Sequence, residues 1–324
     1  MSFPKIILWM GIVLFVVIGI TALFKRPKKE KIPQLQETEV VQEILLKENE
    51  ITSQEIVEIE KEEEKQEDLP DANRIDQLFL TNLSKLPFVE TITYTSRVPW
   101  LKGRPAWIAD YATYYDTTRH FIARSLNKKA DYFTQKVYPG DRFNVLRKDI
   151  DLHFHLLIDL SRCKLWFYAF DKEANERYLL KTYVVSIGRK DAKTASGYLT
   201  PIGKYTLGEK VAIYKPGTMG FFKEEKIEMI RVFGTRWLPF DKEVEGCSDI
   251  AKGYGIHGSP WIEDTKKSSH LVESKEKIGQ YDSDGCIRLA SEDIEEIFSI
   301  VITKPTIVEL VKDFYDADLP GIEK

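Results

Sequence analysis

The sequence predicts a mainly β fold: a sheet assembly over residues 151–312 closing on one helix, preceded by a small α/β module, an acidic linker and an N-terminal transmembrane helix. Three observations predict it. From His153 onward, short alternating or apolar runs recur between Gly, Pro and Lys residues, the rhythm of a sheet assembly and not of repeating βαβ units. Near the end, Ile294, Ile297, Phe298 and Val301 fall at helical spacing. Residues 6–24, IILWMGIVLFVVIGITALF, hold no charged side chain and as a helix come close to spanning a bilayer.

The apolar stretch reads as a membrane anchor and defines segment 1–25. A cleaved signal peptide is the competing reading, but the run is long for one and no small-x-small cleavage site follows Thr21. Lys25, Arg26, Lys28, Lys29 and Lys31 follow the span while only Lys5 and the terminal amine precede it. The positive-inside bias would therefore leave the remainder of the chain in the cytoplasm. Residues 26–70 are dominated by Glu, Lys, Gln and scattered aliphatics. Val40, Ile44 and Ile51 hint at a helical stripe, but a solvated charged linker is the better reading.

In the next segment, 71–150, Ile108, Ala112, Tyr115, Phe121 and Ile122 suggest two short helices broken at Thr117-Thr118. A Pro139-Gly140-Asp141 turn then leads into a strand through Phe143 and Val145. Helix, helix, turn and closing strand resemble the later part of a LysM-type glycan-binding module. From 151 to 312, His153 to Asp159 and Lys164 to Phe170 read as a β-hairpin, and Tyr183–Ile187, Ile202–Leu207 and Ile230–Phe233 as further strands. Ser291 is placed to cap the helix, with Glu292 and Asp293 in its first turn. Thr306 to Val311 closes as a strand, and 313–324 is a tail.

Composition narrows the function. Of 324 residues, 43% are hydrophobic and 30% charged, which excludes a wholly membrane-embedded or wholly disordered chain. The net charge is -4 and no basic, aromatic-interleaved stripe is present, so nucleic acid is not an expected partner. Three cysteines, Cys163, Cys247 and Cys286, cannot all pair, and their spacing fits neither a zinc ribbon nor a disulfide framework.

Chemistry concentrates in Tyr281-Asp282-Ser283-Asp284-Gly285-Cys286-Ile287-Arg288-Leu289 and, upstream, Gly255-Ile256-His257-Gly258-Ser259. Together they hold a thiol and an imidazole. An ordinary thiol titrates near pH 8.5, so a cysteine nucleophile needs a base such as His257 to raise its thiolate fraction. An activated Cys286 would alkylate faster than Cys163 or Cys247. Gly285 permits a tight turn, and successive backbone N–H groups there would form an oxyanion hole worth about 3 kcal/mol of barrier per donor. His270 is the rival base nearest in sequence, but its polar, irregular surroundings favour a surface residue. His153, His155 and His120 read as structural.

These segments resemble the L,D-transpeptidase (YkuD-type) catalytic domain, whose signature is a His-Gly pair followed by Ser/Thr-His-Gly-Cys-aliphatic-Arg/Asn. The resemblance runs over most of 153–311 and includes Val185 to Gly188 and the Thr200-Pro201-Ile202-Gly203 element. It implies an L,D-transpeptidase-like β-sandwich, with peptidoglycan stem peptides as partners and no cofactor or metal. It further implies Cys286 as nucleophile, His257 as base, the Gly258 carbonyl as orienter of the imidazole, and the Gly285 and Cys286 amides as oxyanion donors. Arg288, Ser283, Asp284 and Ser259 are the expected substrate-binding residues, Arg288 with the alternative task of holding the loop. Two departures stand out: Asp284 replaces the usual second His, and a polar insert over 262–280, a lid or more simply an exposed loop, lengthens the gap. A substrate in the wall requires an N-in, C-out anchor through residues 6–24 of the cytoplasmic membrane, against the flanking lysines. L,D-carboxypeptidase activity and an inactive wall-binding protein remain the alternatives.

Overall fold

Alternation of large apolar side chains builds the centre of the protein, and the computed structural model describes residues 69–127, 136–264 and 270–324. The anchor expected over 6–24 and the linker up to residue 68 lie outside the described residues. The first elements are α1 (Ile75–Phe79), β1 (Val89–Thr93), α2 (Ile108–Tyr114), α3 (Arg119–Asn127) and β2 (Arg142–Leu146). β1 and β2 pair antiparallel, Val89 opposite Leu146 and Thr93 opposite Arg142, giving a β-α-α-β order. The break between the helices follows from side-chain chemistry. Thr118 Oγ1 accepts the Phe121 N–H and caps α3, while Thr117 Oγ1 accepts the Leu146 N–H of β2.

The larger part consists of β3 (Leu152–Asp159), β4 (Lys164–Asp171), β5 (Glu176–Val184), β6 (Ile187–Gly188), β7 (Gly203–Leu207), β8 (Ala212–Ile213), β9 (Met219–Phe222), β10 (Glu225–Glu228) and α4 (Ile230–Phe233). It continues with β11 (Arg236–Glu245), β12 (Gly255–Gly258), β13 (Trp261–Glu263), β14 (Leu271–Glu273), β15 (Tyr281–Ser283), β16 (Ile287–Leu289), α5 (Ser291–Val301), β17 (Thr306–Val311) and β18 (Ile322–Glu323). The main sheet runs β16-β12-β11-β7-β17-β3-β4-β5-β18, with β8 on β11. β11 carries it around: Phe240 to Glu245 pair with β7 through register shifts, whereas Trp237 to Pro239 pair with β12. Such bulges increase local twist, so the sheet curls and its far end, β12 and β16, holds the glycine-rich segments.

Both faces of β3 and β4 are covered. Phe154, Leu156, Ile158, Leu165 and Phe167 belong to the main core with Ile294, Ile297, Phe298 and Val301 of α5. The alternate residues Leu157, Trp166 and Tyr168 pack under Leu69, Phe314 and Leu319. The architecture is thus mainly β with few helices, as the sequence predicts. Two local expectations are corrected. Ile230–Phe233 is a helical turn and not a strand. Gly234, at φ 60°, closes it by donating to Ile230 O, and a Cβ there would lie 2.5 Å from the Gly258 carbonyl carbon. Ser291 is the first helical residue of α5 and not its cap. Its N–H is accepted by the Glu273 carboxylate, from the insert.

Candidate active site

β12 and β16 run parallel and adjacent, with Ile256 opposite Ile287, His257 opposite Arg288 and Gly258 opposite Leu289. That register puts His257 beside the strand that begins immediately after Cys286. All four residues of β12 are buried. The loop into β16 is fastened from two sides. Thr200 Oγ1 donates to Gly285 O (2.8 Å) and accepts the Gly188 N–H (2.7 Å). Ser283 Oγ donates to Cys286 O (2.6 Å) and accepts the Gly285 N–H (3.0 Å). Gly285 sits at φ 121°, and a Cβ there would fall 2.6 Å from the Tyr254 ring and 2.8 Å from Leu199 O. Only glycine fits that turn.

His257 Nδ1 lies 2.8 Å from Gly258 O. A carbonyl can only accept, which assigns the proton to Nδ1 and leaves Nε2 as the basic nitrogen. The rings of Phe233 (5.3 Å, edge to face) and Trp237 (5.9 Å) enclose the imidazole. Burial, reinforced by the Arg288 charge and opposed by the Gly258 and Phe233 carbonyls, pushes its pKa down to about 3. The Cys286 thiol points at Gly253 O, 3.7 Å away. Burial pushes its pKa up to about 11, Asp284 adding to the rise while the Gly255 backbone and Arg288 oppose it. With the thiol pushed up and the imidazole pushed down, burial favours the neutral form of both groups near neutral pH.

Residues 153–310, from the start of β3 through nearly all of β17, match the YkuD family, the L,D-transpeptidase catalytic domain. This segment is a YkuD-type L,D-transpeptidase catalytic domain. Among solved structures, the chain is similar to Bdellovibrio bacteriovorus Bd1075 (15% identity, TM-score 0.32), with 49% of this chain and 48% of that one covered. It is also similar to the helical cell shape determining protein Pgp2 from Campylobacter jejuni (17% identity, TM-score 0.34), with 53% and 50% covered. The chain thus spans about half the length of these structures. No functionally curated protein matches it.

Within the L,D-transpeptidase domain, the expected substrate-binding residues occupy different places. Ser283 and Ser259 are buried, and both hydroxyls donate to backbone carbonyls, that of Ser259 to Ser274 O at the base of the insert. Their chemistry is committed to holding loops. Gly285, expected as an oxyanion donor, has its N–H engaged by Ser283, so the Cys286 amide is the donor of the two not committed to Ser283. Arg288 reaches Asp282 (3.1 Å) and braces the loop. Asp284 is gripped by Arg189 (2.6 Å) and Lys223 (3.3 Å), which hold its carboxyl below the usual carboxylate range. Arg189 and Lys223 are thus the counter-ions of this carboxylate, while Arg288 is the cation that opposes the rise at the thiol. Sequence reasoning passed over both cations, as well as Tyr254, Phe233 and Trp237. Thr200 belongs to the Thr-Pro-x-Gly element, but Lys223 has no local signal, being 61 residues from Asp284.

The other histidines and cysteines stand apart. His155 Nε2 meets Glu309 in the interior (2.8 Å), His153 meets Asp151 (3.0 Å), and His120 packs edge-on against Phe298. His270 directly precedes β14 of the insert hairpin β13–β14, its carbonyl accepting the Asp264 N–H, and Cys163 and Cys247 are separate free thiols. The insert is in part this small hairpin; its residues 265–269 lie outside the described residues.

Proposed function

We propose that this chain is a cysteine acyltransferase of peptidoglycan, cleaving the bond between the third, L-centred residue and the terminal D-Ala of a tetrapeptide stem. The observation that carries the reading is the β12–β16 register, which brings His257 beside the strand led by Cys286 while the Gly258 carbonyl leaves Nε2 basic. On substrate docking the thiol leaves Gly253 O and passes its proton to His257 Nε2 as sulfur attacks the scissile carbonyl. The developing oxyanion is met by the Cys286 N–H. Collapse breaks the C–N bond, His257 returns the proton to the departing D-Ala amine, and a thioester remains. An amine of a second stem resolves it, giving a 3-3 cross-link; resolution by water would make the chain an L,D-carboxypeptidase. Residues 6–24 anchor it in the cytoplasmic membrane with the domain on the wall side, the charged linker supplying reach.

Mass spectrometry of tetrapeptide muropeptides incubated with the purified protein, with Cys286→Ala as control, tests this. Loss of D-Ala with a cross-linked dimer is the expected result. Loss of D-Ala alone indicates the carboxypeptidase, and substrate left as intact as with the control overturns the enzyme reading in favour of a wall-binding protein.

A further inference from the structure

Two cations from separate elements converge beside the Cys286 loop. Arg189 directly follows β6, and its N–H donates to Ser283 O. Lys223 stands at the tip of the β9–β10 hairpin, where it and Glu224 both take positive φ (49° and 68°), the backbone of a tight two-residue turn. Asp284 accepts from Arg189 on Oδ1 and from Lys223 on Oδ2. The neighbouring carboxylate, Asp282, is also doubly matched, by Lys277 and Arg288, and Lys190 lies 5.0 Å over the Tyr281 ring. Five cations thus contact a loop carrying two carboxylates, in a chain of net charge -4. A local excess of that sign draws anions to the nucleophile.

The two bonds to Asp284 are unequal. Arg189 holds the shorter one; Lys223 is 70% exposed and rides on a hairpin whose strands pair only with each other among the described residues. An exposed pair of that kind contributes little stability, so Lys223 is the partner easily released. Asp284 lies two residues before Cys286. A carboxylate one residue beyond the attacked bond, a span of about 3.8 Å, falls in the same neighbourhood.

We propose that Lys223 and Arg189 determine acyl-donor specificity: Asp284 keeps both aimed at the Cys286 loop, and Lys223 exchanges Asp284 for the free terminal carboxylate of the peptide. The inference rests on the acyl-transfer reading and names the residues that would recognise the terminal carboxylate of the donor.

The test is calorimetric binding of a D-Ala-terminated tetrapeptide stem and of its C-terminal carboxamide to full-length Cys286→Ala, alone and combined with Lys223→Ala or Lys223→Arg. The acid should bind about tenfold or more tightly than the amide, the range of a charge-assisted hydrogen bond. The Ala combination should bring that ratio near one, while the Arg combination retains most of it. Equal affinity for acid and amide, a ratio unchanged by Lys223→Ala, or binding of neither peptide overturns the proposal. Turnover of both peptides by the wild type, measured alongside, separates these outcomes: equal cleavage of acid and amide removes only the specificity claim, whereas cleavage of neither removes the enzyme reading.

Discussion

Burial acts on Cys286 and His257 in opposite chemical directions with one result, since it disfavours whichever form is charged. The thiol pKa rises to about 11 and the imidazole pKa falls to about 3, so at neutral pH both groups are uncharged. The sign for reactivity follows: with a raised pKa, the thiolate fraction at pH 7 lies below that of an ordinary thiol and grows about tenfold per pH unit until the thiol titrates. Alkylation of Cys286 in the free protein, followed by mass spectrometry, should therefore climb from pH 7 to 10 without levelling off, and should be slow at pH 7. A plateau below pH 8 would show an activated thiolate in the resting protein. Tight turns do the positioning, and Gly285 shows why: its φ of 121° and the ring of Tyr254 leave no room for a side chain.

Among the elements, α5 and its cap show how the insert serves the site. The helix follows directly on β16, and its stripe of Ile294, Ile297, Phe298 and Val301 is buried as the 3.6-residue spacing requires. Its first N–H, however, is satisfied by Glu273 of β14, and Ser259 ties the β12 end to Ser274. Replacing Glu273 by Ala should cost about 1 kcal/mol, the usual worth of a lost cap, and lower Tm by roughly 2–4 °C in scanning calorimetry. An unchanged Tm would mean that the insert hangs free of the helix. The hairpin β3–β4, the strand Thr306–Val311 and the helix break at Thr117-Thr118 were legible because each is a local pattern. The cap was not, because Ser291 and Glu273 are 18 residues apart and meet only through the fold.

At the scale of the whole molecule, residues 69–324 form one compact unit. The β-α-α-β module has its own small cluster around Tyr111, Ile122 and Phe143, yet Phe88, Phe121 and Leu146 belong to the core that also contains Phe154, Phe167 and Phe298. Polar contacts cross the same boundary: Thr118 donates to Ser299 O, and Lys304 meets Asp116 at 2.7 Å. With apolar side chains shared, neither part buries its surface alone, and unfolding should be cooperative. Scanning calorimetry should show a single transition, with the van't Hoff and calorimetric enthalpies agreeing. Two resolved peaks would mean that the module folds by itself.

By itself the sequence determined the β-rich pattern, the thiol and imidazole segments, and the glycines that flank them. Each is a property of neighbouring residues: alternation, helical spacing, or a residue type that only one backbone conformation needs. Tertiary structure alone decided which groups are charged, which hydroxyls are committed, and where Arg189 and Lys223 point. Ser283 and Ser259 look like substrate contacts until their carbonyl partners are known. The counter-ions of Asp284, one just after β6 and one on a distant hairpin, appear only once the fold is known. The physical reason is that burial and electrostatics depend on distances across the fold, which linear order does not encode.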